Sequence, residues 1–377
     1  MTPKTHVFAI AVENYQDTKI PAVRYAENDV REFVNAWQIL GVDAADCEVL
    51  LSAAATFKAF ESKLKSFLGH VAKGERVVFF FAGHGLAING ESRITVHDTQ
   101  IGDLSATTIP LNEILKQVRA SKSEQALLFL DSCHSGLPII DGMRSICSAF
   151  SAEELMAFCK DSEYHFAFAS CKVDQSSYSA VTLSHGIWSY CVINALTGDL
   201  KDALEKGRLV TSNSLQTFLS DEVPRTLRKT VTGAVSQTPC AFGNFTKEFI
   251  VADVSHILAA KAAKASTLGS LLKEAFLRGE DGGQVRSLSG FKKGFHREPK
   301  DHFQGAEDFI AKIGQNEVKS HAEKINDELK AAFKYKFKDV EFGCSDGAAT
   351  IITPDFDVNI WIHQDKDDPS AYVLTAC

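Results

Sequence analysis

Two stretches of sequence decide the fold: RVVFFFAGHG at residues 76–85 and ALLFLDSCHSG at residues 126–136. Each begins as a short and almost wholly apolar run, which is typical of a parallel strand buried on both faces. Each then changes abruptly to small and polar residues. Because ligands in an open α/β sheet bind beyond the carboxyl ends of the strands, these two stretches predict a functional site where both strands end.

The same alternation of apolar strands and amphipathic helices continues through about the first 250 residues. Together with the two stretches above, it predicts an α/β domain with a mostly parallel sheet sandwiched by helices. The further strands are predicted at Val7–Val12, Glu48–Leu51 and His165–Ser170, and the helices at Ala26–Leu40, Phe57–Val71 and Pro110–Val118.

After about Asp253 the sequence changes in character. We interpret residues 254–377 as a small α+β domain that follows a first domain of residues 1–253. It starts with an apolar stripe, Val254–Leu277, which indicates either a packing helix or a surface for a partner protein. A glycine-rich, charged loop or linker is predicted near 279–305. A long helix and three alternating strands follow at Ala306–Lys338, Thr350–Thr353, Phe356–Ile362 and Tyr372–Ala376.

Composition excludes several classes of function. The 377 residues are 45% apolar, which is enough for a large core, and the net charge of −8 disfavours nucleic acid as the main partner. No apolar run is long enough for a membrane span or a signal peptide. The nine cysteines form no CxxC pair and no cluster at zinc spacing. We therefore expect a cytoplasmic protein with no membrane attachment and no cofactor or metal.

The chemistry of the two strand ends favours a nucleophilic thiol. Cys133 and His84 are 49 residues apart in sequence, yet each comes just after a predicted strand. An imidazole can convert a nearby thiol to the thiolate that attacks a carbonyl, and the N–H groups of Gly85 and Cys133 can serve as the oxyanion hole. A lone cysteine is more often a buried apolar residue. A second pair, Cys171 with His185, lacks flanking glycines and is the weaker candidate.

The segments FFFAGHG at 79–85 and LLFLDSCHSG at 127–136 resemble the histidine and cysteine motifs of the caspase-like cysteine peptidases, especially their metacaspase, paracaspase and bacterial branches. The separation of the two motifs is also similar. The resemblance extends over residues 1 to about 253. Its further segments are Ala26–Asp29, Ala169–Cys171, Asp174–Tyr178, Ser184–Tyr190 and Gln237–Pro239.

This resemblance also implies a specificity. True caspases carry Gln-Ala-Cys at the nucleophile, whereas Asp131 lies two residues before Cys133 here, as in metacaspases and paracaspases. In that branch this aspartate and the one at the start of the first helix, Asp29 here, line an acidic pocket. Tyr178 is expected beside them. The resemblance therefore implies cleavage after Arg or Lys. Alternatively, Asp29 caps a helix and Asp131 holds a loop.

The metacaspase calcium site of clustered aspartates is not clearly matched, because only Asp141 lies near a suitable position. Calcium activation is therefore an open alternative that no clear site in the sequence supports.

Two functions from different classes follow from these observations. The first is an endopeptidase that acts on protein substrates with a basic residue before the cut, through a thioester with Cys133. The second is a catalytically silent scaffold or adaptor of the same fold. By the resemblance, residues 254–377 are expected to receive an activating signal or partner, in bacterial stress or phage defence. Lys201, Lys206 and Lys292 are candidate positions for self-cleavage.

Overall fold

The computed structural model describes residues 3–133, 150–172, 175–233, 235–247 and 249–261, and four strands near the C-terminus. The chain divides into two compact units, Met1–Leu258 and Ala259–Cys377. The first unit extends slightly beyond the predicted boundary at residue 253. The reason is that Val254 and Ile257 are buried in its core.

The first unit is built on a mixed, mostly parallel sheet with the strand order β11-β7-β6-β3-β1-β2. The short β4 extends this sheet from β3, and β5 pairs with β4. The strands are β1 (Thr5–Ala11), β2 (Cys47–Leu51), β3 (Arg76–Ile88), β4 (Glu91–Ile94), β5 (Ile109–Pro110), β6 (Gln125–Cys133), β7 (His165–Ala169), β8 (Ser179–Ala180), β9 (His185–Gly186), β10 (Leu209–Thr211), β11 (Cys240–Phe242) and β12 (Ile250–Asp253).

Helices cover both faces of this sheet, as the sequence predicts. The helices are α1 (Ala26–Ile39), α2 (Phe57–His70), α3 (Leu104–Thr107), α4 (Leu111–Ala120), α5 (Ala152–Lys160), α6 (Ile187–Leu196) and α7 (Ser212–Thr230). One hydrophobic cluster joins α1, α6 and α7 to the sheet, and a second cluster joins α2, α4 and α5 to its other face. None of the helices among the described residues is long and apolar enough to cross a bilayer.

The central strands alternate strictly between these two clusters. In β3, Val78 and Phe80 belong to the cluster of α1 and α6, whereas Phe79 and Phe81 belong to the opposite cluster. In β6, Phe129 contributes to the first cluster in the same way. Since side chains along a strand alternate between faces, this parity decides which helix layer each polar residue beyond the strand core will meet.

The strands at the site are longer than the sequence predicts. β3 was expected to end at Phe81, but it continues to Ile88 and turns back antiparallel as β4, where Gly85 is opposite Ile94. Its parallel pairing with β1 ends at Ala82, and its pairing with β6 ends at His84. The change to glycine after Phe81 favours a strand end at that point. Glycine is also found inside strands where neighbours crowd the backbone, which is the case here.

The buried Arg76 fastens β12, the last strand of the unit, to the start of the central strand β3. Its guanidinium donates to the carbonyl oxygens of Val251 and Ile250 at 2.7 and 2.9 Å, and to Gln125 Oε1 at 2.9 Å. It also lies over the ring of Phe249. No carboxylate is needed, because three carbonyl-type acceptors and an aromatic face satisfy the cation.

The second unit contains a four-stranded antiparallel sheet in the order β13-β14-β15-β16. Its strands are Glu341–Gly343, Ala348–Ile352, Asp357–Gln364 and Tyr372–Ala376. The last three correspond to the predicted alternating segments. The first was missed, because only three residues form it. The predicted linker near 279–305, the helix at 306–338 and most of the stripe at 254–277 lie outside the described residues.

Candidate active site

The two predicted catalytic residues lie on neighbouring strands. In the parallel register of β3 and β6, His84 is opposite Cys133, the last residue of β6. Neighbouring strands are about 4.8 Å apart, so the fold brings these two backbone positions together across the centre of the sheet. Phe81 and Leu130 are the last pair of large apolar residues in this register, and small and polar residues follow them on both strands.

The backbone of His84 is fixed by a closed set of hydrogen bonds. Thr95 donates to the His84 carbonyl oxygen twice, from its N–H at 3.0 Å and from its hydroxyl at 2.8 Å. The His84 N–H donates to the Tyr15 hydroxyl at 3.2 Å, and that hydroxyl lies 2.8 Å from Thr95 Oγ1. Because the Thr95 proton is already used, Tyr15 must be the donor in this last bond.

The imidazole of His84 is fully buried and has a defined tautomer. Its Nε2 lies 2.9 Å from the carbonyl oxygen of Pro21, which can only accept. Nε2 therefore carries a proton, and in the neutral ring Nδ1 is the basic nitrogen. The Tyr15 ring stacks on the imidazole, with 5.5 Å between centroids. Pro21 could not be found from sequence, because any residue can supply a carbonyl oxygen.

The glycines on both sides of His84 are required by crowding. A Cβ at Gly83 would lie 2.8 Å from the Phe81 ring, and one at Gly85 would lie 3.0 Å from the Cβ of Ser132. The bond from Thr95 N–H to the His84 oxygen makes Gly85 and Ile94 a non-hydrogen-bonded pair of the β3–β4 ladder. This ladder therefore leaves the N–H of Gly85 unused, and its role in an oxyanion hole stays a prediction.

Two buried carboxylates lie together beside these strand ends. Asp131 follows the parity of Phe129 and so faces the layer of α1 and α6, where Asp29 lies in the first turns of α1. A Cβ added to Gly186 would lie 3.0 Å from Oδ2 of each aspartate. A Cβ there would be crowded by both carboxylates, so glycine suits the position and the two side chains lie on either side of it.

The two aspartates have different partners. Asp29 Oδ1 lies 2.7 Å from His185 Nδ1, and the Gly186 N–H contacts both Asp29 oxygens at 3.2 and 3.1 Å. Asp131 Oδ2 accepts from the Ser189 hydroxyl at 2.6 Å, whereas its Oδ1 is buried without a hydrogen-bond partner. A buried carboxylate oxygen without a donor is costly, and a bound cation would relieve that cost.

Burial raises the pKa of both carboxyl groups. The pKa of Asp29 rises to about 7, chiefly through desolvation and further through the charge of Asp131, while the bond from His185 opposes the rise. Desolvation also raises the pKa of Asp131, against the opposing effect of hydroxyl groups that include Ser189 and Ser177. Two acidic groups that share a dry space in this way favour a positively charged ligand.

The structure bears differently on the alternative roles considered for the two aspartates. Asp29 does not cap α1, because the cap position is Tyr25 and makes no side-chain capping bond. Asp131 does hold α6 through Ser189, so it has a structural contact in addition to its free oxygen. Tyr178 is half-buried just before β8, where its N–H donates to Gln237 Oε1 at 3.1 Å. Its place in a substrate pocket stays a prediction.

The second cysteine–histidine pair is not assembled. His185 contacts Asp29, as described above. Cys171 is buried, its thiol lies 3.4 Å from the Gln175 carbonyl oxygen, and desolvation raises its pKa to about 12. A thiol with so high a pKa is a poor nucleophile. Asp141 and Lys292 lie outside the described residues, and Lys201 and Lys206 are exposed. Among the described residues no three His, Cys, Asp or Glu side chains converge as metal ligands.

Comparison with known proteins agrees with this architecture. The profile of peptidase family C14, described as the caspase domain, matches residues 4–250. The chain therefore belongs to the caspase-domain peptidases, a family of cysteine peptidases. No curated protein matches the chain. A similar solved structure is a structural-genomics protein from Geobacter sulfurreducens, with 15% identity and a TM-score of 0.42 over 64% of this chain and 93% of that one.

Gln237 is a buried residue that holds the segment around Tyr178 in place and has no catalytic chemistry of its own. Gln237 donates from Nε2 to the Ser170 carbonyl oxygen at 3.1 Å and to the Ser177 hydroxyl at 3.0 Å, and it accepts from the Tyr178 N–H. It therefore ties both ends of the segment between β7 and β8 to the chain before β11. The sequence marked Gln237 only through the family resemblance.

We predict that Gln237→Leu lowers the free energy of unfolding by about 2 kcal/mol, because it leaves the buried Ser170 oxygen and Tyr178 N–H without partners. Urea unfolding followed by tryptophan fluorescence measures the change. The matched control is Gln216→Leu on α7, where the glutamine is half-buried and its side chain joins no such set of bonds. Equal stability of Gln237→Leu and the wild type would contradict this role.

Proposed function

We propose that this chain is an endopeptidase that hydrolyses peptide bonds after Arg or Lys through a Cys133–His84 dyad. The observation that carries the proposal is the pair of buried carboxylates, Asp29 on α1 and Asp131 two residues before the end of β6, which lie on either side of Gly186. Membership of a cysteine peptidase family supports the reaction type, and the acidic pair supports the basic specificity.

The proposed reaction uses the His84 tautomer. The thiol of Cys133 gives its proton to Nδ1 of His84, and the Pro21 carbonyl oxygen stabilises the resulting imidazolium through Nε2–H. The thiolate attacks the substrate carbonyl carbon, and the N–H groups of Gly85 and Cys133 receive the oxyanion. His84 returns the proton to the leaving amine as the C–N bond breaks. It then takes a proton from the water that hydrolyses the thioester.

The P1 side chain of the substrate, which precedes the cut, would bind against the two aspartates that lie on either side of Gly186. A guanidinium or ammonium there would satisfy the free Oδ1 of Asp131 and reduce the repulsion between two buried negative charges. An aspartate side chain would add a third negative charge to the same space. The pocket therefore discriminates by electrostatics more than by shape.

We predict that Asp131→Asn lowers kcat/KM for fluorogenic Arg peptides by about 30- to 1000-fold, which corresponds to roughly 2–4 kcal/mol for a lost buried charge pair. The fold should survive, because the Asn oxygen can still accept from Ser189 and a buried charge is removed. Asp202→Asn, at an exposed position, is the control. Faster cleavage of Asp peptides than of Arg peptides, or unchanged Arg turnover in Asp131→Asn, would contradict the specificity.

The reactivity of Cys133 distinguishes an enzyme from a catalytically silent scaffold. We predict that Cys133→Ala abolishes both turnover and covalent labelling by a peptidyl-Arg chloromethyl ketone. Cys47→Ala should change neither, since Cys47 is half-buried and its thiol pKa is raised to about 11. Labelling is read by intact mass. A native protein that cannot be labelled at Cys133 would favour the scaffold.

Regulation through the second unit is a further part of the proposal. The first unit contains its own core, which includes Val254 and Ile257, so residues 1–261 can be tested without the rest. If the second unit restrains the enzyme until a signal arrives, removing it should raise basal kcat/KM about tenfold or more. Circular dichroism checks folding, and a chain cut after folding at a protease site placed within 279–305 is a second form of the test. Equal activity of the short and full chains would contradict the restraint.

A further inference from the structure

A histidine lies in contact with the acidic pair but has no part in the proposed reaction. His185 is the first residue of β9 in the short hairpin of β8 and β9, and 15% of its side chain is exposed. Its Nδ1 is 2.7 Å from Asp29 Oδ1. The adjacent Gly186 is the residue that separates Asp29 from Asp131. Asp29 and His185 therefore meet directly in one small, largely dry space, and Asp131 lies on the other side of Gly186.

The other groups that face this space are neutral. Over the described residues, α1 contributes Asp29, β6 contributes Asp131 and β9 contributes His185. From α6 come the Ser189 hydroxyl and the Tyr190 ring, whose centroid is 6.2 Å from that of His185. The segment after β7 adds serine hydroxyls and the un-ionised thiol of Cys171. The contact between Asp29 and His185 is therefore the place where a proton can be held beside Asp131.

From this geometry, and resting on the basic P1 specificity proposed above, we infer that Asp29 and His185 act as a proton-exchanging pair. The pair holds a proton when the pocket is empty and releases it when a P1 guanidinium or ammonium enters. His185 is therefore a positioning residue that tunes the charge of Asp29 and does not touch the reacting atoms. The direction follows from electrostatics, because a bound cation stabilises the ionised carboxylate and so competes with the proton.

The sign of the pH dependence can be stated. The pKa of Asp29 in the empty pocket is about 7, and it would be higher without the contribution of His185, which lowers it. Asp29 is therefore mostly protonated below neutral pH, when the pocket attracts a cation weakly. It is mostly ionised above neutral pH, when the attraction is at full strength. Preference for a basic P1 residue should rise with pH and then level off.

A structural role for His185 is the alternative. The hairpin is also fastened to α1 by Asn28, whose amide donates to the Ser184 carbonyl oxygen at 2.9 Å and lies 3.2 Å from His185 Nε2. A histidine that only fastened the hairpin would affect stability, and it would leave the pH dependence of P1 preference unchanged. The test must therefore measure preference as a function of pH.

The experiment compares two fluorogenic peptides that differ only at P1, with Arg in one and its neutral isostere citrulline in the other. The ratio of their kcat/KM values cancels the titration of the Cys133–His84 dyad, which is common to both. In the full-length wild type, the Arg/citrulline ratio should rise about tenfold from pH 6 to pH 8, because a group with pKa near 7 goes from about one-tenth to about nine-tenths ionised.

The variant His185→Gln keeps an N–H donor for Asp29 but cannot carry a proton. Its midpoint should move to higher pH by at least about half a unit, whereas His70→Gln, at an exposed site on α2, should match the wild type. An unchanged midpoint in His185→Gln would overturn the inference.

If His185→Gln does not fold, the test rests on the wild type alone. An Arg/citrulline ratio that does not change between pH 6 and pH 8 then overturns the inference. If Arg is never preferred to citrulline at any pH, the proposed basic specificity fails instead, so the two failures can be told apart.

Discussion

The parallel pairing of β3 with β6 is the constraint on which the rest of this structure depends. It begins at Arg76 and Gln125 and ends at His84 and Cys133. This single register brings the histidine and cysteine positions together. Because side chains alternate along β6, it also directs Asp131 toward α1 and α6. A slip of one residue would reverse every one of these directions, and the buried aromatic residues on both faces make such a slip prohibitive.

The surroundings of His84 illustrate how neighbouring groups fix the position of a candidate catalytic residue. Its N–H, its carbonyl oxygen and its Nε2 all have fixed partners, while glycines allow Phe81 and Ser132 to pack against the chain on either side. These bonds hold the ring in one position and place the proton of the neutral imidazole on Nε2.

The acidic space beside the strand ends is unfavourable when empty. Burial and mutual repulsion raise the pKa of both aspartates, and the free Oδ1 of Asp131 adds a desolvation cost. Proteins tolerate such arrangements where a ligand relieves them. The contact between His185 and Asp29 lowers part of this cost, because it opposes the rise in the pKa of Asp29.

The sequence by itself determined the α/β class, the central strands and their helices, and the pair of motifs at the strand ends, because buried parallel strands are continuous apolar runs and the change to polar residues is abrupt. It also identified Cys133, His84, Asp29 and Asp131 as candidates. Only the tertiary structure decided what depends on contacts between distant segments. The Pro21 carbonyl is invisible in sequence, the β4 return depends on pairing, and the contact of His185 with Asp29 joins residues far apart in the chain. Local sequence patterns determine the helices and strands, whereas contacts between distant segments determine the protonation and charge of the buried groups.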